Sequence, residues 1–289
     1  MTLNLSLLTA GYTEQFAFFA ERDGPLKKRR FPATAGLLEH PKEGLVLFDT
    51  AYSPFFHDAT RRFPERIHAL VTPVTIDPQD TVAAQIVRKG YAIDDVRHVL
   101  LSHFHADHIG GARLFPKATF VTRRSAFEAV KHRSRLSGTF AGFLKALLPS
   151  DFESRVRFVD DDVKTALDLG PFDAGFDLFR DGSVLLVDLP GHATGQVGAF
   201  VDSSQGPVLL AADAAWSERN YAEGVHPHPL AHVVIRNFDG HDYHETIEKL
   251  SALRKARPDV AIIPCHCGRA HAAWNDRHHS AGESATPHE

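Results

Sequence analysis

Short, continuous apolar runs separated by polar and glycine-containing stretches recur along the chain. Residues 45–48, 99–101, 119–121, 184–187, 197–201, 208–210 and 260–263 are such runs, rich in Val, Leu, Ile and Phe. Their length and composition read as strands. Residues 1–8 read as a first strand as well. Between the runs lie segments with helical periodicity. Asp80 is a good N-cap for a helix carrying Val82, Ile86 and Val87 until Gly90 stops it. A second helix over 243–256 places Ile247, Leu250 and Leu253 on one face and ends ahead of Pro258. Strands alternating with helices predict an α/β fold with its sheets covered by helices. No repeat or low-complexity linker divides the chain, so residues 1–274 are expected to form one domain. Residues 275–289, rich in His, Ser and Glu, are expected to be a flexible polar tail.

Residues 123–152 differ in character. Phe140, Phe143, Leu144, Leu147 and Leu148 form a wide apolar face at helical spacing, while Arg123, Arg124, Lys131, Arg133 and Arg135 make the first half basic. Two readings stand side by side. One is a helical pair packed on the core with a solvated basic face. The other is an inserted helical cap that shapes a substrate pocket or a homodimer contact.

Composition narrows the function classes. With 289 residues and 43% hydrophobic content the chain can bury a large core, and a net charge of −4 points away from nucleic acid. No apolar stretch is long enough to span a bilayer, so no membrane partner is expected. The amino terminus lacks a basic n-region and reads as a strand in place of a signal peptide. Only two cysteines occur, Cys265 and Cys267, which suggests a reducing, cytoplasmic setting.

The chemistry concentrates after the run at 99–101. His103-Phe104-His105-Ala106-Asp107-His108 presents three imidazoles and a carboxylate at a strand's carboxyl tip. Extended-chain alternation puts His103, His105 and Asp107 on one face, and His108 follows as the chain turns at Ile109-Gly110-Gly111. Packed without a cation, these groups would repel or stay unsatisfied. Around divalent metal they become ligands. A His-rich surface turn is the plain alternative in a chain with 19 histidines. Three further candidates end other strands: His192 after Pro190-Gly191, Asp213 after the run at 208–210, and His266 after Pro264-Cys265. Each alone is ordinary. Together they make seven nitrogen and oxygen donors at the carboxyl ends of strands, with one carboxylate to share, which is what two metal ions require. Zn²⁺ suits the set best, and Mn²⁺, Fe²⁺ or Co²⁺ also fit it.

These blocks resemble the metal signature of the metallo-β-lactamase superfamily. Phe48-Asp49-Thr50 resembles that family's early strand end, and Phe179-Arg180-Asp181-Gly182-Ser183 the hairpin before its third motif. The resemblance implies an αβ/βα sandwich, two mixed β-sheets flanked by helices, with a dinuclear site at one sheet edge. It implies His103, His105 and His192 on one metal, Asp107, His108 and His266 on the other, and Asp213 bridging. The wording of the blocks is most similar to the lactone-hydrolysing branch typified by N-acyl-homoserine lactonases. That branch implies opening of a lactone or related ester by a hydroxide held between the ions, with Asp107 carrying the proton. Asp49 is expected either to accept a hydrogen bond from a ligand imidazole or to cap a turn. One departure stands out: the tyrosine these lactonases place three residues after the bridging aspartate is Trp216 here, with Tyr221 as the nearby substitute. Phe104 and Trp216 adjoin ligands and are expected to contact a small-molecule substrate, as is Tyr221. Phe16, Phe18, Phe19, Phe31 and Phe238 are further aromatic candidates. A thioester hydrolase of the glyoxalase II type, and a metal-binding regulatory protein with weak turnover, are the alternatives.

Overall fold

The computed structural model describes residues 1–230 and 239–283, with side chains as far as Arg277. Two sheets lie face to face. The first contains β1 (Asn4–Phe16), β2 (Lys28–His40), β3 (Gly44–Phe48), β4 (Val74–Thr75), β5 (Val96–Leu100), β6 (Thr119–Thr122) and β7 (Val156–Phe158), in the order β4-β1-β2-β3-β5-β6-β7. The second contains β8 (Thr165–Leu169), β9 (Phe172–Asp177), β10 (Val184–Asp188), β11 (Val197–Ser203), β12 (Gly206–Ala212) and β13 (Ala261–Pro264), in the order β13-β12-β11-β10-β9-β8. Both are mixed: β3, β5, β6 and β7 run parallel, as do β12 and β13, and the remaining pairs are antiparallel. Helices cover the outer faces, giving the four-layer α/β sandwich that the sequence predicts.

The layering explains why the strands read as unbroken apolar runs. Val46 and Phe48 of β3 meet Leu186, Val201 and Leu210 between the sheets. Leu45 and Leu47 of the same strand face outward into Val82, Ile86, Ile109 and Phe127 beneath the helices. On the far side, Leu209 and Ile262 pack against Tyr243, Ile247, Leu250 and Leu253 of the helix Gly240–Ala256. A strand covered on both faces has no polar alternation to show.

Several expectations shift. The first strand runs on to Phe16 and pairs along most of its length with β2, a 13-residue strand whose Lys28-Arg29-Arg30 start and Pro32 hide it from an apolar-run search. The helix near Asp80 is capped by Thr81, whose Oγ1 accepts from Ala84 N–H at 3.2 Å, while Asp80 pairs with Arg88. Regular structure continues past Asn275. A helix spans Gly268–Glu283, anchored by Trp274, one of the largest fully buried side chains, and once that turn is docked each further residue adds a hydrogen bond.

Residues 123–152 combine features of both readings. Phe127, Val130, Phe143, Leu144 and Leu147 join the core, whereas the exposed Phe140 reaches the mouth of a cavity described below. The basic half is paired and not simply solvated: Arg123 bonds Asp160 and Asp188, Arg124 bonds Asp161, Lys131 bonds Glu153 and Arg135 grips Glu65.

One glycine tests the loop that carries His192. Gly191 has φ +115°, and a Cβ there would lie 2.2 Å from Tyr243 N. Gly191→Ala is expected to cost about 2 kcal/mol or more in urea unfolding. Gly182→Ala, also at positive φ but with nothing within 4 Å, is expected to cost less. Equal losses would contradict the contact.

Candidate metal centre

Five strand ends converge at one edge of the sandwich. Chain leaves β3 through Asp49, β5 through Ser102 and His103, β10 toward His192, β12 into Asp213 and β13 into Cys265 and His266. Asp49 and Ala51 take left-handed backbone conformations, with φ 60° and 51°, and these turn the Asp49 carboxylate back toward β5. It accepts hydrogen bonds from Ser102 N–H at 2.8 Å, from Ser102 Oγ at 2.8 Å and from His108 Nδ1 at 2.7 Å. Asp49 therefore bonds an imidazole, the first of its two expected roles. A proton held on Nδ1 would leave His108 Nε2 to meet a cation as a lone-pair donor.

The strand ends at Leu100, and the chain bends at Ser102 before a short non-helical stretch to His105. The turn Ala106–Ile109 is helical, with His108 N–H and Ile109 N–H both donating to His105 O, and Asp107 and His108 project from it. Asp107 thus reaches the site from a helical turn, not by strand alternation. His103 and His105 face each other with ring centroids 4.5 Å apart, and Phe104 points away between them.

The seven predicted residues come together around Asp213. Asp213 Oδ2 lies 3.2 Å from His192 Nε2 and 3.1 Å from His266 Nε2, and Oδ1 lies 3.2 Å from His108 Nε2. Asp107 Oδ2 is 3.1 Å from His266 Nε2 and 3.6 Å from His108 Nε2. Donor atoms of His103, His105, His192 and Asp213 all lie within 4.8 Å of one another, as do those of His108, Asp213, Cys265 and His266. Asp213 belongs to both groups. Cys265 joins the second group, a place that its Cys-x-Cys spacing does not signal; its thiol accepts from Thr34 N–H at 3.3 Å.

The donor set fits divalent cations. His103 Nε2 is buried with no hydrogen-bond partner, and His108 Nε2 and Asp213 Oδ1, though 3.2 Å apart, make no well-formed hydrogen bond, an arrangement that costs free energy until something electropositive meets them. His105 Nδ1 and His192 Nε2 face each other at 2.9 Å, so without a cation one must carry a proton. Burial drives His105 down to about 3 and His192 to about 4, and holds His103 well below the usual imidazole range with help from the neighbouring imidazoles. These rings are neutral, as ligands must be. Burial opposes the charge on His108 and His266, but Asp49, Asp107 and Asp213 overcome it for His108, and Asp213 and Asp107 for His266, so both are raised. Burial likewise pushes Asp107 and Asp213 upward, and the adjacent imidazoles outweigh it and hold both carboxylates ionised.

Above the cluster opens a cavity of about 470 Å³. His105, Asp107, His192, Asp213 and His266 form its floor, and Trp216 lines it with its ring edge-on to His192 at 5.6 Å. Phe19 and Phe31 also line it. Two expected contacts do not. Phe104 is a core residue, stacked among Phe127, Phe143 and Phe152, because alternation sends it to the face opposite its histidine neighbours. Tyr221 is buried under the second sheet, its hydroxyl donating to Ile262 O at 3.3 Å, because the helix Glu218–Ala222 turns that face inward. Phe16 and Phe18 stack on each other, 5.7 Å apart, and do not line the cavity. Phe238 lies outside the described residues. Tyr52 and His68 line the wall unforeseen. For Tyr52 a signal existed, since it lies two residues beyond Asp49-Thr50; for His68 none did.

Comparison with known proteins agrees with this geometry. A profile of the Metallo-beta-lactamase superfamily matches residues 29–266. The N-acyl homoserine lactonase AttM of Azorhizobium caulinodans is 30% identical over 239 residues, 81% of each chain. Among solved structures, an N-acyl homoserine lactone hydrolase with N-hexanoyl-L-homoserine at its catalytic metal centre superposes with a TM-score of 0.71 at 22% identity, covering 94% of this chain and 97% of that one. The dizinc quorum-quenching lactonase AidC gives a TM-score of 0.58 at 16% identity, covering 92% and 88%. At such identities these two structures establish likeness of fold.

Two outcomes follow from the site. Asp49→Asn keeps the shape but weakens the hold on His108 Nδ1, and is expected to lower metal affinity about 10–100-fold in a chelator competition; unchanged affinity would contradict the positioning. In metal-free protein, His105 and His192 are neutral when folded but have ordinary values near 6.5 when unfolded. The unfolded chain therefore binds more protons as pH falls from about 6.5 to 4, and thermal stability should drop through that window. A flat profile there would contradict the burial of neutral rings.

Proposed function

We propose, for a chain that belongs to the metallo-β-lactamase superfamily, metal-dependent hydrolysis of lactones or closely related esters. The observation that carries this reading is the shared carboxylate of Asp213 at the floor of a largely apolar cavity, with imidazoles on both sides. His103, His105 and His192 would hold one divalent cation, Asp107, His108 and His266 a second, and Asp213 both. Zinc is the preferred metal on donor chemistry. Bound there, the cations would polarise an ester carbonyl and supply a water acidic enough to ionise near neutral pH.

The protein's own residues do the rest. Asp49 fixes the His108 tautomer, and Pro32 O accepts from His266 Nδ1 at 2.7 Å and fixes that of His266. Asp107, beside His266 and open to the cavity, carries a proton from the attacking water toward the leaving oxygen. Phe31, Ile67, Val71 and Phe140 offer an apolar wall to an alkyl or acyl chain, and Trp216 closes the side next to His192.

Substrate charge separates this reading from its alternatives. No Lys or Arg lines the cavity among the described residues, so an anionic phosphodiester or a glutathione thioester meets no countercharge on its walls. A neutral lactone needs none. The relative from Azorhizobium, a lactonase by name, supports the same choice. A regulatory protein with a decayed site is disfavoured by the retention of all seven donor residues.

The test is a panel of lactones, simple esters and S-lactoylglutathione, run on one preparation before and after chelation. Lactone opening is expected to fall at least about 100-fold on metal removal and to return with Zn²⁺ or Mn²⁺. Equal rates for stripped and loaded protein, or a preference for the thioester, would overturn the proposal.

A further inference from the structure

Opening an ester leaves negative charge on two oxygens in turn: the carbonyl oxygen as water adds, then the oxygen that departs. With cations held by the floor's carboxylates and imidazoles, those side chains would be engaged as ligands, so a hydrogen-bond donor for the departing oxygen has to come from the walls. Most polar side chains there are already engaged. Thr13 Oγ1 donates to Pro73 O at 2.9 Å, Gln15 Nε2 to Val71 O at 2.9 Å, and Thr139 Oγ1 to Arg135 O at 2.8 Å. Trp216 has a single polar atom, Nε1, and it is solvent-inaccessible.

Tyr52 is different. Its ring is 3% exposed and lines the cavity with Asp107, Asp213 and His266, yet no protein group among the described residues takes its hydroxyl. The ring is held firmly. It packs edge-on against Phe56, with centroids 5.3 Å apart, and its backbone N–H donates to Ala10 O at 3.1 Å. Two glycines make room on either side: a Cβ at Gly11 would sit 3.0 Å from Tyr52 Cβ, and one at Gly110 would sit 3.0 Å from Tyr52 Cα. The left-handed Ala51 just before it delivers the side chain inward. Burial, with the charges of Asp107 and Asp213 adding to it, keeps the phenol protonated and therefore a donor. A fixed donor with no protein partner among the described residues, open to a cavity floored by carboxylates, is free to meet a substrate oxygen.

We propose that Tyr52 is a catalytic residue of this site, its hydroxyl donating a hydrogen bond to the departing oxygen of the lactone or ester. The inference rests on the hydrolase reading above. In the step, the water oxygen bonds to the acyl carbon and the bond from acyl carbon to ring oxygen breaks, leaving its electron pair on the ring oxygen. The proton lost by water arrives there by way of Asp107, giving a hydroxy acid. Tyr52 keeps its own proton throughout. It lowers the barrier by meeting the charge before that proton arrives.

The experiment compares metal-loaded wild type and Tyr52→Phe on an alkyl lactone, whose departing alkoxide is strongly basic, and on a 4-nitrophenyl ester, whose departing phenolate needs little help. The variant keeps the ring, so circular dichroism and metal content should not change. Expected are a kcat about 100-fold lower on the lactone, with KM within about two-fold, and less than about three-fold loss on the aryl ester. Calorimetric affinity for the ring-opened hydroxy acid should weaken several-fold, a readout independent of turnover. Wild-type kcat on the lactone, or equal losses on both substrates, overturns the role of Tyr52 alone. A wild-type protein that opens no lactone overturns the hydrolase reading and this inference together.

Discussion

The carboxylate of Asp213 is buried within 3.2 Å of three imidazoles, and the rest of the site is organised by what that costs. Charges taken out of water must be paired and hydrogen-bonded, and here the pairing within the protein is incomplete. His103 Nε2 has no hydrogen-bond partner, and His108 Nε2 and Asp213 Oδ1 approach each other without a well-formed one. A divalent cation on each side of the carboxylate, as proposed, would satisfy all three at once. Without cations the same cluster is a liability, with some rings held neutral and others held charged.

The sandwich exists, in functional terms, to deliver those groups to one point. Parallel strands β3 and β5 end side by side, so Asp49 can reach Ser102 and His108 across the gap. From the second sheet, β12 and its parallel neighbour β13 bring Asp213 and His266. The cost is backbone strain at Asp49, Ala51 and Ala212, all at positive φ, with the sheets' apolar cores holding them in place. Tyr52 rides on the same strained stretch that positions Asp49, so the turn after β3 serves both the cation site and the cavity above it.

Much of this was legible in the sequence. The core strands and the seven side chains that cluster at the sheet edge could be read because they come after continuous apolar runs, and such runs mark strands buried on both faces. What could not be read depended on partners distant in the chain. The β1–β2 hairpin was half hidden because the Lys28-Arg29-Arg30 end of β2 stays near solvent. Phe104 looked like a substrate contact by adjacency, yet alternation, applied strictly, already sends it to the face opposite His103 and His105. Tyr221 was placed by closeness in sequence to Trp216, while a short helix turns it into the second sheet's core. His68 and Phe140 reach the cavity from helices whose packing no local pattern records.

Anomalous diffraction from crystals of the zinc-loaded protein tests paired coordination most directly. Two peaks about 3.5–4 Å apart are expected, one among His103, His105 and His192, the other among Asp107, His108 and His266, with an Asp213 oxygen within bonding distance of each. A single peak, or two peaks of which only one contacts Asp213, would contradict it.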